Sequence, residues 1–228
     1  MKKISVQNIV IFRNKSERSQ KTFLNNLNKD KKADLDSGGG DYWVRSLSTL
    51  SVAVREKNAD SIANKITDIM SDFKPNMRKQ TKDMYERNIG ILHNYEDYDF
   101  GNLLPLNAKI LNKTSKKGTI EINDVPVQIK PGQIYSFEYE GDKHVGAVWF
   151  VAKLSGFEKA ELGIFAEALF IYLSANFEES YRINPENCLI IDVLSKEEVN
   201  YKMVVDKEIP ALLFETLENI KKVNKAKS

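Results

Sequence analysis

The sequence predicts an α+β fold, a mixed α/β arrangement in which a helical N-terminal region precedes a mixed β-sheet flanked by helices. Two observations carry this. From about residue 16 to 95, apolar residues recur at intervals of three and four, the period of a helix face. From about residue 103 they alternate or form short unbroken runs, as in strands. With 228 residues, 42% of them hydrophobic, the chain can bury one large core or two small ones. The change of period divides it into residues 1–100, mainly helical, and residues 101–228, an α/β core.

Residues 5–12, Ser-Val-Gln-Asn-Ile-Val-Ile-Phe, read as a strand or an extended arm. Ser16 is the expected N-cap of a polar helix with Phe23, Leu24 and Leu27 inward. Gly38, Gly39 and Gly40 read as loop or hinge, and Asp41 as the cap of a second helix carrying Trp43, Leu47, Leu50 and Val54. Ile62, Ile66, Ile69 and Phe73 define a third helix. Pro75 ends it and opens a fourth over about 76–94.

Leu106 to Ile110 is a short apolar run. Thr119 to Ile129 alternates around Asn123-Asp124, the signature of a hairpin turn. Gln133 to Tyr139 gives a strand with one aromatic face. Val145 to Leu154 is nearly all apolar and suits a central strand covered on both sides. A helix follows from about Phe157, with Leu162, Phe165, Ala166, Leu169, Phe170 and Leu173 on a wide buried face. Asn184-Pro185 ends the connection, Cys188 to Val193 is another buried strand, and Val199 to Val205 is its expected hairpin partner. Pro210 opens a last helix with Leu213, Leu217 and Ile220 inward.

The net charge of +2 names no partner, but the charge is unevenly spread. Residues 1–32 hold nine Lys or Arg against Glu17 and Asp30, and the tail adds Lys221, Lys222, Lys225 and Lys227. Basic ends either keep a protein in solution or follow phosphate. One cysteine, Cys188, precludes an internal disulfide and reads as a buried thiol. The N-terminus lacks the unbroken apolar stretch of a signal peptide, and the most apolar helical segment, Leu162 to Leu173, carries Glu167 and is too short to span a bilayer. The expectation is a cytoplasmic protein with no membrane partner.

Several chemistries lack their residues. There is no phosphate-cradling G-x-x-x-x-G-K-[ST], no G-x-G-x-x-G and no G-x-S-x-G. His93 and His144 have no local metal-ligand partners and read as surface or capping residues, and a single cysteine cannot build a structural zinc site.

What remains is the run of strands from Gln133 to Lys153, the helix containing Glu161-Leu-Gly-Ile-Phe-Ala-Glu-Ala-Leu169, and the strand Cys188 to Val193. In this order of elements, with Lys153 ending an apolar strand, it resembles the PD-(D/E)XK nucleases of the RecB and Cas4 type. It also resembles domains found in phage and mobile-element genomes. The nuclease resemblance implies two carboxylates holding a divalent metal, Mg or Mn, whose water the lysine orients beside a scissile phosphate. On this chain Lys153 takes the place of that lysine, with Glu138 or Glu140 on the second strand and Glu158 or Glu161 on the following helix as candidate acids. Asp192, beside the buried Ile190 and Ile191, reads as paired with a lysine, as a turn cap or as a further candidate acid. The match departs at Val151, where the family's acid-x-Lys has its acid.

Three functions follow as expectations. The first is a nuclease-like domain without cleavage, or with little of it, that binds nucleic acid, with Arg78, Lys79, Lys82 and Arg87 as the contacts. The second is an adaptor that meets a protein partner or a second copy of itself through residues 41–95, with Trp43 as anchor. The third is an active metal nuclease. The aromatics Tyr135, Phe137, Tyr139, Trp149 and Phe150 read as core rather than as a base-stacking surface.

Overall fold

The computed structural model describes residues 1–29, 42–111 and 118–225. The expected Gly38–Gly40 hinge and the Asp41 cap lie outside them. At the centre is a five-stranded mixed sheet of order β2-β5-β6-β7-β8, formed by Lys109–Ile110, Gln133–Tyr139, Asp142–Val151, Arg182–Asp192 and Glu198–Asn200. β5 and β6 form an antiparallel hairpin. β6 and β7 run parallel, joined by the crossover helix α6 (Lys159–Phe177), and β7 and β8 are antiparallel. A second sheet of order β1-β4-β3 pairs β1 (Ile4–Ser5) with β4 (Val125–Gln128), which forms a hairpin with β3 (Thr119–Ile122). Asn123 and Asp124 both have positive φ at its turn, as a tight hairpin requires.

Alternation along β6 sorts the core into two layers. Val145, Ala147 and Val151 face one way, onto α6. Val148, Phe150 and Ala152 face the other, onto α3 (Val44–Glu56), α4 (Asp60–Ser71) and α5 (Lys79–His93). β6 is therefore covered on both sides, as its apolar run predicts. The helical region 1–100 does not pack as a unit. α1 (Val6–Arg13) and α2 (Glu17–Asn28) lie on the α6 side, against α6 and the last helix, α8 (Leu213–Lys225). Only α3–α5 cover the opposite face.

Several boundaries differ from expectation. Residues 6–13 are helical rather than extended. Ser5 caps them by accepting from the Asn8 N–H, and Val6, Ile9, Val10 and Phe12 fall on a buried helical face. The fourth helix starts at Lys79, not 76. Leu106 is 99% exposed, so only Lys109–Ile110 of its run form a strand. β7 begins at Arg182, with Asn184 and Pro185 inside it, beside an irregularity where Val145 pairs Ile183 and Ala147 pairs Cys188. A bulge there lets proline sit in a paired strand. Of the expected Val199–Val205 strand only residues 199 and 200 are extended, as the end of β8 (Glu198–Asn200). The Asn200 side chain accepts from the Met203 N–H and starts α7 (Tyr201–Val205). α6, at 19 residues, is longer than expected and apolar enough to cross a membrane by length and composition, but 67% of its most apolar window is buried inside the protein.

Gly146 marks the tightest point of the sheet. A Cβ placed there would lie 2.7 Å from Tyr135 Cζ, the Tyr135 hydroxyl and Asn187 Cβ, all part of packed structure. Gly146→Ala should therefore lower stability by about 2 kcal/mol through overpacking. Urea unfolding checks this, and an unchanged midpoint would mean that Tyr135 moves freely.

Candidate functional site at the end of β6

The carboxyl ends of β6 and β7 and the start of α6 meet in one corner. The chain leaves β6 at Val151 and turns through Lys153–Gly156, where Gly156 has φ +69° and its N–H donates to the Lys153 carbonyl. It then enters α6 through a capping box. The Glu158 side chain accepts from the N–H of Glu161, and the Glu161 side chain accepts from the N–H of Glu158 at 2.8 Å.

Lys153 and Glu161 come together here. Lys153 Nζ donates to Glu161 Oε2 at 2.7 Å and lies 4.8 Å from the centre of the Phe157 ring. Asn14, at the end of α1, donates to Glu161 Oε1. Both carboxylate oxygens are thus engaged. Burial opposes the charge on Glu161 most strongly, yet the hydrogen bonds from Lys153, the Glu158 N–H and Asn14 together hold its carboxyl below the ordinary range.

Asp192, fully buried, sits beside this pair at the end of β7 and does different work. Oδ2 accepts from the Phe157 N–H at 3.1 Å and the Ser195 hydroxyl at 2.8 Å, and Oδ1 accepts from the Leu194 N–H at 3.4 Å. It ties the β6–α6 loop to the turn after β7. Gly156 is part of this fit, since a Cβ there would come 2.9 Å from Asp192 Oδ2.

Glu138 is not brought to the corner. It pairs across the sheet with Lys143, ten positions before Lys153 on a strand that rises about 3.3 Å per residue, so the two ends lie roughly 30 Å apart. It lines a separate hollow of about 290 Å³ with Lys109, Lys143 and Tyr181. Carrying the β5–β6 register three residues past Gln133↔Val148 places Lys130, not an acid, opposite Val151. Among the described residues no three His, Cys, Asp or Glu side chains converge as metal ligands. The residues present do not fit a magnesium or manganese centre. The expected grouping of Glu138, Glu161, Asp192 and Lys153 is corrected to a Lys153–Glu161 ion pair beside a structural aspartate.

The four basic residues proposed on α5 divide. Arg87 donates to the Tyr42 hydroxyl and stacks over its ring at 5.7 Å, and Lys82 donates to the Pro75 carbonyl at 3.1 Å. Arg78 and Lys79 are exposed at the start of the helix, with Asp83 and Glu86 on the same helix reducing the local charge. His93 pairs with Glu96, and His144 stacks on Phe137 at 5.3 Å. Trp43, expected as an exposed anchor, is half-buried.

Sequence reasoning missed a second basic surface. α2 and α8 pack together, with Asn28 Nδ2 donating to Asn224 Oδ1 at 3.4 Å. This joins the two basic ends of the sequence on one side of the protein. Lys3, Arg18, Lys21, Lys222 and Lys225 are exposed on these adjoining segments, and Glu17, Glu215 and Glu218 are exposed beside them. Each end is visible as a charge run, but nothing in the linear sequence shows that they adjoin. The chain matches no family model, and no curated protein or solved structure is significantly similar to it.

Proposed function

We propose that this protein binds nucleic acid through the basic surface shared by α2, α8 and the first residues of the chain, and that its nuclease-like core acts as a scaffold rather than as a metal-dependent cutter. The meeting of two basic chain ends on one face carries the proposal, because clustered cations displace condensed counterions from a phosphate backbone. The end of β6 supports the second half: its lysine, glutamate and aspartate are engaged with one another or with the backbone, and the other candidate acid is roughly 30 Å away.

The measurement is fluorescence anisotropy of a labelled single-stranded oligonucleotide across a salt series. Binding should weaken steeply with salt. Replacing Arg18, Lys21 and Lys222 together with Glu should lower affinity by roughly tenfold or more and flatten the log–log salt slope by about 2. No binding at about 50 mM salt, or a triple variant that binds as well as the parent, would overturn the proposal.

A further inference from the structure

The two helical layers leave a groove of about 480 Å³ around the end of β6, within the roughly 300–1,000 Å³ typical of small-ligand sites. Its walls come from five distant segments. Ser5 and Gln7 supply one side, Tyr42, Trp43 and Leu47 at the start of α3 supply another, and Gln128, Lys130, Trp149 and Phe165 complete it. The chain has two tryptophans, 106 positions apart in sequence, and both line this groove. Neither indole is stacked flat on its aromatic neighbour. Trp43 meets Tyr42 at 67° with centroids 4.7 Å apart, and Trp149 meets Phe165 at 86° and 5.3 Å. Gln7 is fixed across the groove by donating to the Ala152 carbonyl.

Charge leads into this place. β1 pairs with β4, Ser5 opposite Gln128, so exposed Lys3 lies two positions before a groove residue, roughly 7 Å along the strand. Lys130 stands exposed at the groove itself. Cations along a path with indole rings at its end are what a single nucleic-acid strand requires: lysines follow the phosphates and aromatic rings take the bases.

Resting on the proposed nucleic-acid function, we infer that this groove receives unpaired bases of a single strand, stacked against Trp43 and Trp149, with Lys130 beside the backbone. The amides of Gln7 and Gln128 are placed to meet base edges. A duplex, whose bases are already stacked, has no route into it.

Because both tryptophans line the groove, tryptophan emission, excited to the red of tyrosine absorption, reports on it. Titration with a short oligothymidylate should quench this emission, while an abasic strand of the same length should bind the basic face and leave the emission unchanged. Trp149→Leu and Lys130→Glu should each weaken oligothymidylate binding on the order of tenfold, and Trp149→Phe should retain most of it. Lys130→Glu, at an exposed position away from the packing of Trp149 on Phe165, and thermal unfolding of each variant separate lost binding from a folding defect. Equal quenching by the abasic strand, or Leu and Phe variants that bind alike, would overturn the groove assignment. Salt-dependent anisotropy without any change in emission would overturn it too, while leaving the basic-surface function standing. Absence of binding in both measurements would remove both.

Discussion

Asp192→Ala should lower the stability of this protein by about 3–5 kcal/mol, the largest loss expected of any single side chain at the corner. The side chain is fully buried and accepts from the Phe157 N–H, the Ser195 hydroxyl and the Leu194 N–H. Removing it strands the buried Phe157 N–H, at about 1–3 kcal/mol, releases the partly exposed Leu194 N–H and Ser195 hydroxyl to water, and leaves a void in the packed corner. For a chain of this size the melting temperature should fall by roughly 10 °C. Asp192→Asn keeps one accepting oxygen and should recover part of the loss. Thermal unfolding of the two variants is enough to test this. A change below about 1 kcal/mol would mean that the aspartate is not holding the loop and is free for chemistry.

The second large effect belongs to the neighbouring ion pair. Lys153→Ala should cost about 2 kcal/mol, because it strips a nearly buried carboxylate of its charged partner, while one quarter of the lysine side chain still meets water and moderates the loss. Glu161→Gln should cost less, since the amide oxygen still accepts one hydrogen bond. In a double-mutant cycle the two changes should couple by about 1–2 kcal/mol. The acid limb carries a further sign. The folded carboxyl of Glu161 is held below its unfolded value of about 4.5, so its contribution is complete above that pH and is lost as pH falls through the lower folded value. Glu161→Gln should therefore flatten the fall of stability below about pH 4.5. Glu167 acts in the opposite direction: burial raises its carboxyl although it accepts from the Leu212 and Leu213 N–H groups at the start of α8. An additive cycle, or an unchanged acid limb, would show that Lys153 and Glu161 are not coupled in solution.

Much of the architecture was legible where one physical signal dominated. The stripes Leu50/Val54 and Ile62/Ile66/Ile69 are buried helix faces, the Asn123-Asp124 turn makes its hairpin, and the apolar run after Val145 is a strand covered twice. Reading failed where apolar β-branched residues outweighed a cap. Ser5 and Asn200 each turn a segment rich in valine or isoleucine into helix by accepting one N–H three residues on. The pairing of Lys153 with Glu161 was within reach, eight positions apart across one loop. The part played by Asn14 was not, at 147 positions, nor was the separation of Glu138, which depends on the direction in which β5 runs beside β6. The groove was missed because Trp149 satisfies a core pattern and Trp43 reads as a protein-docking anchor, and only tertiary packing shows that both reach the same opening.

The packing of α1 and α2 against α8 has a consequence for biosynthesis. During translation Ile9 and Phe12 emerge early, yet part of the surface that shelters them is made some 200 residues later. At ribosomal rates of about 5–20 residues per second, that sticky segment waits for ten seconds or more before its partner leaves the exit tunnel. Until α8 emerges, this segment of the nascent polypeptide should consequently be a client for holdase chaperones.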